Sequence, residues 1–474
     1  MARAADRRSF LAYGMAVAAP LPRAADPWDE AAAIVGRIKL PAIRRTSFPI
    51  TAYGAVGNGA ADCTRAIKLA VSAARRAGGG RVVVPAGTFL TGAVELYGKV
   101  GLHLEQGAVL RFRTDPGAYL PLVPTRFNGI DCFNYRPLIR LLNATNVAIT
   151  GAGTIDGAAD NAHWWPWRGK EEFGWSPGQP EQSASITRLR TQAAEGVPLG
   201  ERVYGEGGFL RPSLIQAFHS RNVLIDGVTL TNAPWWMIHG LFSSNVTIRN
   251  VSFTSLGPNN DGCDLESCDH VLVERCVFRQ RDDKVVVKSG FGRDGVVGAP
   301  GARRPPRPST DIVVRDCRMA DYGAALAVGS EIGAGAARIF AERLRNLPGD
   351  APLNHLCLIK SSTRRGGTVT GVRLRDCQVA ACAMEAVMLT YTYERDDLLG
   401  PYPPRFDDIA IERVTCGRSR QALNAIGHPG LPIARLRLVD STFPSAEKRF
   451  VAARGVEGLD LAGTRVAGIP PRVY

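Results

Sequence analysis

Short stretches of alternating apolar residues recur along most of this chain of 474 residues. Each unit begins with a polar residue and continues with two apolar residues one position apart, as in residues 222–225 and 245–248. Further units begin at residues 146, 270, 311, 371, 408, 435 and 458, and the shorter steps between neighbouring units are 23 to 27 residues. A strand unit repeated at this period predicts a parallel β-helix, in which each repeat forms one coil stacked on the last. The strands of a β-sandwich recur every ~8–12 residues, which fits this spacing less well.

A helix is predicted ahead of the first coils. Apolar residues at positions 66, 67, 70, 71 and 74 follow a helical period, and three glycines at residues 78–80 end it. A helix at this position would cover the unpaired edge of the strand stack. We therefore predict an all-β protein with an N-terminal capping helix, and a single β-helix domain over residues 47–474 with loop insertions near 160–208 and 291–310.

The segment ahead of the domain divides into two parts. Arg7 and Arg8 precede Phe10, Leu11 and a mildly apolar stretch, which resembles a twin-arginine export signal at residues 1–25. A disordered basic tail is the alternative. Residues 26–46 are predicted to form a linker or a short capping helix. The export signal predicts a periplasmic or secreted protein.

Composition and charge limit the classes of partner. The net charge is +14, which suits nucleic acid, an anionic membrane or an acidic polysaccharide. The sequence contains no recognisable nucleic-acid module and no apolar run near the ~20 residues that cross a bilayer. We expect an anionic polysaccharide as the partner, no nucleic acid, no membrane span and a monomer, although a generally basic surface would give the same charge.

The ten cysteines form no CxxC metal pattern, so a zinc site is not predicted. We expect no other metal and no cofactor. Cys276, Cys317 and Cys377 each follow a pair of charged residues, which indicates one buried position repeated in successive coils. Cys263 and Cys268 are close enough in sequence to pair, and the sequence does not decide whether they do.

Three acidic residues stand in a strand-like context. Asp261 lies 21 residues before Asp282, close to one repeat, so the coils are expected to stack it against Asp282 and Asp283. Glycoside hydrolysis by inversion uses one protonated and one ionised carboxyl, roughly 6.5–9.5 Å apart. Adjacent residues in a strand point to opposite faces, so we expect Asp282 and Asp283 on a turn or bulge. Crowding would keep a proton on at least one carboxyl. Local capping of turns by aspartate is the alternative interpretation.

Other side chains are candidates for substrate binding. Lys288 and Lys360 could each receive the carboxylate of a uronic acid, or be solvated surface residues. His239 follows Trp235 and Trp236 one repeat before the acidic stretch, where it could face the same groove. Three tryptophans in the first insertion, at residues 164, 165 and 167, could stack on a sugar or form a satellite core that holds the loop.

Several motifs in fixed order resemble the polygalacturonase family, glycoside hydrolase family 28. They are Asn259-Asn260-Asp261-Gly262-Cys263-Asp264, Asp282-Asp283, Val287-Lys288-Ser289-Gly290, Gly329-Ser330-Glu331 and Ile359-Lys360-Ser361. The resemblance covers residues 47 to 445 and implies a right-handed parallel β-helix and metal-independent, inverting hydrolysis of pectic polymers.

The resemblance also implies roles for matched positions. Asp282 would be the general acid, and Asp261 and Asp283 would hold and activate the water. Lys360 would bind the substrate carboxylate. Asn259 of the first motif and Tyr393 are further substrate-binding candidates, and Tyr391 is the alternative to Tyr393.

Two departures from the family pattern concern the substrate. The family's Gly-His-Gly histidine falls on Gly323, and the arginine of its Arg-Ile-Lys motif falls on Leu358. Leucine would suit the methyl group of rhamnose, so rhamnogalacturonan or a modified galacturonan is a candidate substrate. We expect a glycoside hydrolase acting on pectic polysaccharides. The alternatives are a non-catalytic pectin-binding β-helix protein and a pectate-type polysaccharide lyase.

Overall fold

The computed structural model describes residues 26–302, 304–395, 400–428 and 430–474. The export signal predicted at residues 1–25 lies outside the described residues. The first element of the described chain is helix α1 at Pro27–Arg37.

Successive coils of the chain stack into three ladders of parallel strands, which confirms the predicted right-handed parallel β-helix. Along each coil the chain runs through ladder A, ladder B and then ladder C. Ladder A consists of the strands Ser47–Pro49, Gly80–Val84, Val100–Leu104, Thr145–Gly151, Arg221–Asp226, Ser244–Arg249, Asp269–Glu274, Ser309–Arg315, Ala336–Glu342, Thr368–Arg375, Arg405–Glu412, Ile433–Val439 and Val456–Glu457.

Ladders B and C belong to one continuous hydrogen-bonded sheet, and the long strand Thr415–Ile426 takes part in both. Ladder B further consists of Asn58–Asp62, Gly87–Thr91, Ala108–Phe112, Thr154–Asp156, Thr229–Thr231, Ser252–Thr254, Val277–Arg279, Arg318–Ala320, Arg345–Asn346, Gln378–Ala381, Thr442–Phe443, Ser445–Lys448 and Arg465–Val466. Ladder C further consists of Val94–Leu96, Ile139–Leu142, Ile215–Phe218, Ile238–Leu241, Cys263–Glu266, Val285–Lys288, Ala324–Val328, His355–Lys360, Glu385–Thr390, Phe450–Arg454 and Arg472–Val473.

The repeating unit found in the sequence is the ladder A strand. Val223, Val246, Val271 and Ile312 lie directly over one another, and all four side chains are buried in the core. The polar residue that starts a unit has a positive φ, 54° at Asn222 and 52° at Asn245, a conformation that asparagine tolerates. The Asn245 amide donates to Asn222 Oδ1 over 3.0 Å, so the polar positions also stack.

The predicted N-terminal helix is α2, Thr64–Arg76. Its buried face includes Ala66, Ile67 and Ala70 and contacts the early strands Gly80–Val84 and Val94–Leu96. Residues 26–46, predicted to form a linker or a short capping helix, contain helix α1. Its residues Trp28, Ala31 and Ile34 pack on the outer face of ladder A against Leu272, Val313 and Phe340. This site of contact lies more than 200 residues away along the chain, so local sequence does not indicate it.

The insertions and turns carry the other short elements. An antiparallel hairpin pairs Val123–Phe127 with Ile130–Asn134. Helix α3 spans Ser183–Glu195 in the first insertion, and helix α4 spans Gly292–Val296 in the second. The 3₁₀ turns are Ile50–Tyr53, Pro116–Tyr119, Trp165–Arg168, Glu171–Phe173, Leu199–Glu201 and Tyr393–Arg395.

All ten cysteines are buried free thiols. Cys276, Cys317 and Cys377 each follow a residue with positive φ and lie in the core, as the repeated Glu-Arg-Cys and Arg-Asp-Cys patterns predict. Cys263 and Cys268 are not joined by a disulfide in this structure.

Candidate active site

Two stacked turns between ladders B and C bring the three aspartates together. Asp261 precedes the strand Cys263–Glu266, and Asp282 and Asp283 precede Val285–Lys288 in the next coil. The Gly262 amide donates to the Asp283 carbonyl over 2.9 Å, which fixes one turn on the other. Because Asp282 and Asp283 lie on a turn, as expected, their side chains reach the same face.

The turn that carries Asp282 and Asp283 is stabilised by a buried lysine. Lys284 Nζ donates to the carbonyl oxygens of Gln280 over 2.7 Å and Asp282 over 2.8 Å, and also to the carbonyl of Asp321. Burial lowers the pKa of Lys284 to about 8, although the charges of Asp283 and Asp282 oppose this shift. These bonds fix the backbone that carries Asp282 and Asp283.

One carboxylate oxygen from each of Asp261, Asp282 and Asp283 lies within 4.8 Å of the others. This distance joins the nearest oxygen atoms, whereas the ~6.5–9.5 Å associated with inversion separates whole carboxyl groups, so the arrangement is compatible with inversion. It would also suit a metal ion, and among the described residues these aspartates are the group close enough to hold one. A cation is already supplied there, because Lys360 Nζ donates to Asp283 Oδ2 over 3.0 Å.

The three carboxyls differ in their tendency to ionise. Burial opposes ionisation of Asp283, but Lys360 and the hydrogen bond from the Ala324 amide outweigh it and lower the pKa of Asp283. Burial, with the adjacent charge of Asp283, raises the pKa of Asp282. Burial, with Asp264 and Asp282, raises the pKa of Asp261 well above its ordinary value. The group therefore contains an ionised carboxylate and retains a proton beside it.

Lys288 lies in a second charged cluster next to the aspartates. Its Nζ is 2.8 Å from Glu331 Oε2, 3.5 Å from Asp264 Oδ1 and 4.3 Å from the centre of the Trp236 ring. Burial opposes ionisation of Glu331, but Lys288 and Arg365 hold the pKa of that carboxyl below its ordinary value. Glu331 and Asp264 were part of the quoted motifs, but the sequence assigned them no role.

A cavity of about 420 Å³, here called the main cavity, opens over these groups. Seven of the eight predicted site residues line it, namely Asp261, Asp282, Asp283, Lys288, Lys360, Asn259 and Tyr393. The wall also contains residues that the sequence did not single out, among them Arg168, Gln182, Arg190, Glu331 and Glu394. Most of these come from the first insertion, whose contact with the coils is visible only in three dimensions.

His239 is the predicted site residue that does not line the main cavity. Its side chain is completely buried, with Nε2 3.0 Å from Glu266 Oε2 and Nδ1 3.2 Å from Gln216 Nε2. Its ring meets Trp236 edge to face at 5.0 Å. His239 therefore packs behind Trp236 and can reach substrate only through its neighbours.

Tyr393, rather than Tyr391, faces the main cavity. The Lys360 ammonium is 4.8 Å from the Tyr393 ring centre. Tyr391 is buried in the core and its hydroxyl accepts a hydrogen bond from the Phe406 amide over 2.7 Å. Of the two tyrosines that the sequence left as candidates, Tyr393 is therefore the one that can contact a ligand in the main cavity.

Neither of the two departures from the family motifs lines the main cavity. Gly323 has a φ of 53°, and a Cβ on it would lie 2.3 Å from the Asp282 carbonyl, so no side chain fits there. The residue beside the carboxylates is its neighbour Ala324, which packs with Val286, Ala327 and Leu358 in a small apolar cluster. Leu358 is buried in this cluster and is not part of the described cavity wall.

The tryptophans of the first insertion form a satellite core. Trp164 is buried and meets Trp167 edge to face, with ring centres 4.8 Å apart. Trp165 Nε1 donates to the Ala233 carbonyl over 2.9 Å. A Cβ on Gly257 would lie 2.3 Å from the Trp165 ring, so this glycine allows the loop to pack on the acidic stretch. Of the two interpretations left open by the sequence, the structure shows the loop-holding core.

These features define a class of protein, a parallel β-helix with a carboxylate group in a cation-lined cavity. The model of the family described as Glycosyl hydrolases family 28 matches residues 205–420. The solved structure of an exopolygalacturonase from Thermotoga maritima is 33% identical, covers 94% of this chain and 98% of that chain, and superposes with a TM-score of 0.83. The chain belongs to glycosyl hydrolases family 28.

Two curated relatives are similar over shorter shares of their length. A probable polygalacturonase from Vitis vinifera is 29% identical over 70% of this chain and 60% of its own. An exo-poly-alpha-D-galacturonosidase from Dickeya chrysanthemi is 28% identical over 77% of this chain and 61% of its own. The chain thus spans about three fifths of the length of these relatives. No helix in the described ranges has the length and apolar character needed to span a bilayer.

Proposed function

We propose that the protein hydrolyses glycosidic bonds of pectic polysaccharides, with galacturonides as the substrate class. The observation that carries the proposal is the group of three aspartates, in which the pKa of Asp283 is lowered while that of Asp282 is raised. Hydrolysis of a glycosidic bond needs an ionised carboxylate and a protonated carboxyl at one site. The names of the relatives and of the Thermotoga maritima structure support the substrate class.

In this proposal Asp282, which is partly exposed to the main cavity, donates its proton to the leaving oxygen. Asp283 and Asp261 hold and activate the water. Lys360, Lys288, Asn259 and Tyr393 contact the sugar units from the same wall. Inversion is proposed with these roles, because Asp283 is the ionised carboxylate that can activate the water while Asp282 supplies the proton.

Galacturonan is favoured over rhamnogalacturonan. The argument for rhamnose required Leu358 to contact a methyl group, and Leu358 packs in the apolar cluster and does not line the main cavity. The residues that line the cavity are instead strongly polar, and four of them are cations, namely Arg168, Arg190, Lys288 and Lys360. Carboxylates are the groups that such cations bind best.

We also propose that cleavage starts from a chain end. Arg190 of α3 and Glu394 both line the main cavity, and Arg190 Nη2 lies 3.3 Å from Glu394 Oε2. This ion pair joins the first insertion to the segment around Tyr393 and bounds the cavity. A bound chain that meets such a wall has to present its terminal sugar to the aspartates.

The proposal is tested by following polygalacturonate with proton NMR. We expect the wild type to release sugars whose first-formed anomer is inverted, and Asp282→Asn to lower kcat by about 10²–10⁴-fold with its circular dichroism unchanged. Asp115→Asn, at an exposed carboxylate paired with Arg113, is the matched control and keeps full activity. An unsaturated product would indicate the lyase alternative, and binding of the polymer without any product would indicate the non-catalytic alternative.

A further inference from the structure

The carboxylate group lies between two cavities rather than at the bottom of one. A second cavity of about 270 Å³ is lined by Arg168, Lys170, Arg281, Phe173 and Tyr322, and it also contains Asp282. Arg168, Asn259 and Asp282 line both the main cavity and the second cavity. A bond cleaved at Asp282 would therefore have one sugar unit in each cavity.

Most cations around the two cavities already have an acidic partner within the protein. Lys360 is bonded to Asp283, and Lys288 to Glu331. Arg190 pairs with Glu394. In the second cavity Arg281 pairs with Glu172 over 2.7 Å and lies over the Phe173 ring at 4.9 Å.

Arg168 differs from all of these. Its guanidinium makes no hydrogen bond, ion pair or ring contact with any described residue, although it is partly buried. Its charge acts on the fully buried Arg211, whose pKa is lowered well below its ordinary value by burial and by Arg168. Lys170 has no partner among the described residues either, but it is exposed and lines the second cavity only.

The position of Arg168 is fixed by the satellite core. It ends the 3₁₀ turn Trp165–Arg168, and Trp165 and Trp167 anchor that turn on the coils and on Phe209. The Gln182 amide also donates to the Trp167 carbonyl over 3.0 Å. The backbone that carries Arg168 is therefore fixed beside Asp282 and Asn259. Its guanidinium has no partner among the described residues, and the planar fork of this group matches a carboxylate in two hydrogen bonds.

We propose that Arg168 binds the carboxylate of a uronic acid unit at the junction of the two cavities, and that it makes the protein specific for substrates charged on both sides of the cleaved bond. The inference rests on the proposed hydrolase function. Lys360 and Lys288 lie on the main-cavity side of Asp282, and Arg168 serves the sugar that extends into the second cavity. Arg168 acts by positioning the substrate and takes no part in proton transfer.

The test uses two substrates, digalacturonate and its ester methylated on both carboxyl groups. Each is measured with the wild type, Arg168→Ala and Arg168→Lys. For the free acid we expect Arg168→Ala to raise KM by about 10- to 100-fold, with Arg168→Lys between it and the wild type. With the methyl ester, wild type and Arg168→Ala differ by less than about threefold, because the partner of the guanidinium is no longer charged. The acid and alkaline limbs of the pH profile of kcat/KM for Arg168→Ala are expected at the same pH as in the wild type, because Arg168 takes no part in proton transfer.

Arg76→Ala, at an exposed arginine that ends α2 outside both cavities, is the matched control and is expected to change KM by less than about threefold. An equal loss of Arg168→Ala on acid and ester, or no loss on the acid, would overturn the assignment. Binding is measured separately by calorimetry with trigalacturonate in the Asp282→Asn background. If the wild type hydrolyses nothing, weaker binding after the additional Arg168→Ala change still supports the site, and unchanged binding or none refutes it.

Discussion

At the scale of single residues, Lys360 sets the charge of the aspartates. Its ammonium lies 3.0 Å from Asp283, where it helps to lower the pKa of that carboxyl, and it opposes the rise in the pKa of Asp282. In the proposed mechanism Asp283 has to be ionised to activate water, so its pKa sets the acid limb of the activity profile. Asp282 has to be protonated to act as the acid, so its pKa sets the alkaline limb.

Lys360→Met is therefore expected to move both limbs of the kcat/KM profile to higher pH, by about one unit or more. The sign is the same for the two limbs, because loss of a positive charge raises the pKa of each carboxyl. The measurement is hydrolysis of a short oligogalacturonide between pH 3 and 8. Lys68→Met, at an exposed lysine on α2, is the control and leaves the profile in place. If either limb of the Lys360→Met profile keeps its position or moves to lower pH, Lys360 does not set the pKa of the aspartates in this way.

At the scale of elements, the first insertion does most to shape the site. Its helix α3 lines the main cavity with Gln182 just ahead of it and with Ser183, Ile186, Thr187 and Arg190. Beyond Arg190 lies a third cavity of about 670 Å³, which shares only Thr187 and Arg190 with the main one and is also lined by Phe291 and Tyr402. Thr187 and Arg190 thus lie between two open spaces, and Arg190 has the longer side chain.

Arg190→Ala is expected to join these spaces and to let a polymer chain pass the wall. The early products of polygalacturonate digestion would then include longer oligomers in addition to the smallest sugars, as measured by anion-exchange chromatography at low conversion. Arg188→Ala changes the same helix at a residue that lies over the Tyr204 ring instead of the cavity, and it keeps the wild-type product profile. Identical early products from Arg190→Ala and wild type would show that this side chain does not decide where cleavage starts.

At the scale of the whole molecule, the net charge of +14 attracts an anionic polymer over long distances. Such attraction between exposed charges is screened over about 10 Å at 0.1 M salt. Contacts inside the cavity are screened much less, because the lysines there are almost fully buried.

We therefore expect KM for polygalacturonate to rise several-fold between about 20 mM and 200 mM sodium chloride, with kcat nearly constant. KM for digalacturonate, which carries two charges, is expected to rise less over the same range. Initial rates at a fixed pH provide the measurement. A salt dependence that is equal for dimer and polymer would assign the attraction to the site instead of to the whole surface.

Much of the fold was determined by the sequence alone. The repeat of polar and apolar positions specified the coils, because each unit buries its apolar residues only by stacking on the next. The spacing of Asp261 and Asp282 then predicted that the aspartates meet, since one repeat in sequence is one layer in space. Glycine-bounded α2 was also predictable, because its apolar period is local.

Only the tertiary structure decided which residues the loops and the core contribute. His239 and Tyr391 are buried, and Leu358 packs in an apolar cluster outside the cavity lining. The direction of each side chain depends on how its coil packs against the neighbouring coils. Arg168 and Arg190 reach the aspartates from an insertion whose path across the coils no repeat encodes. Helix α1 likewise packs on residues more than 200 positions away. Contacts of this kind depend on long-range packing, which the local pattern of the chain does not record.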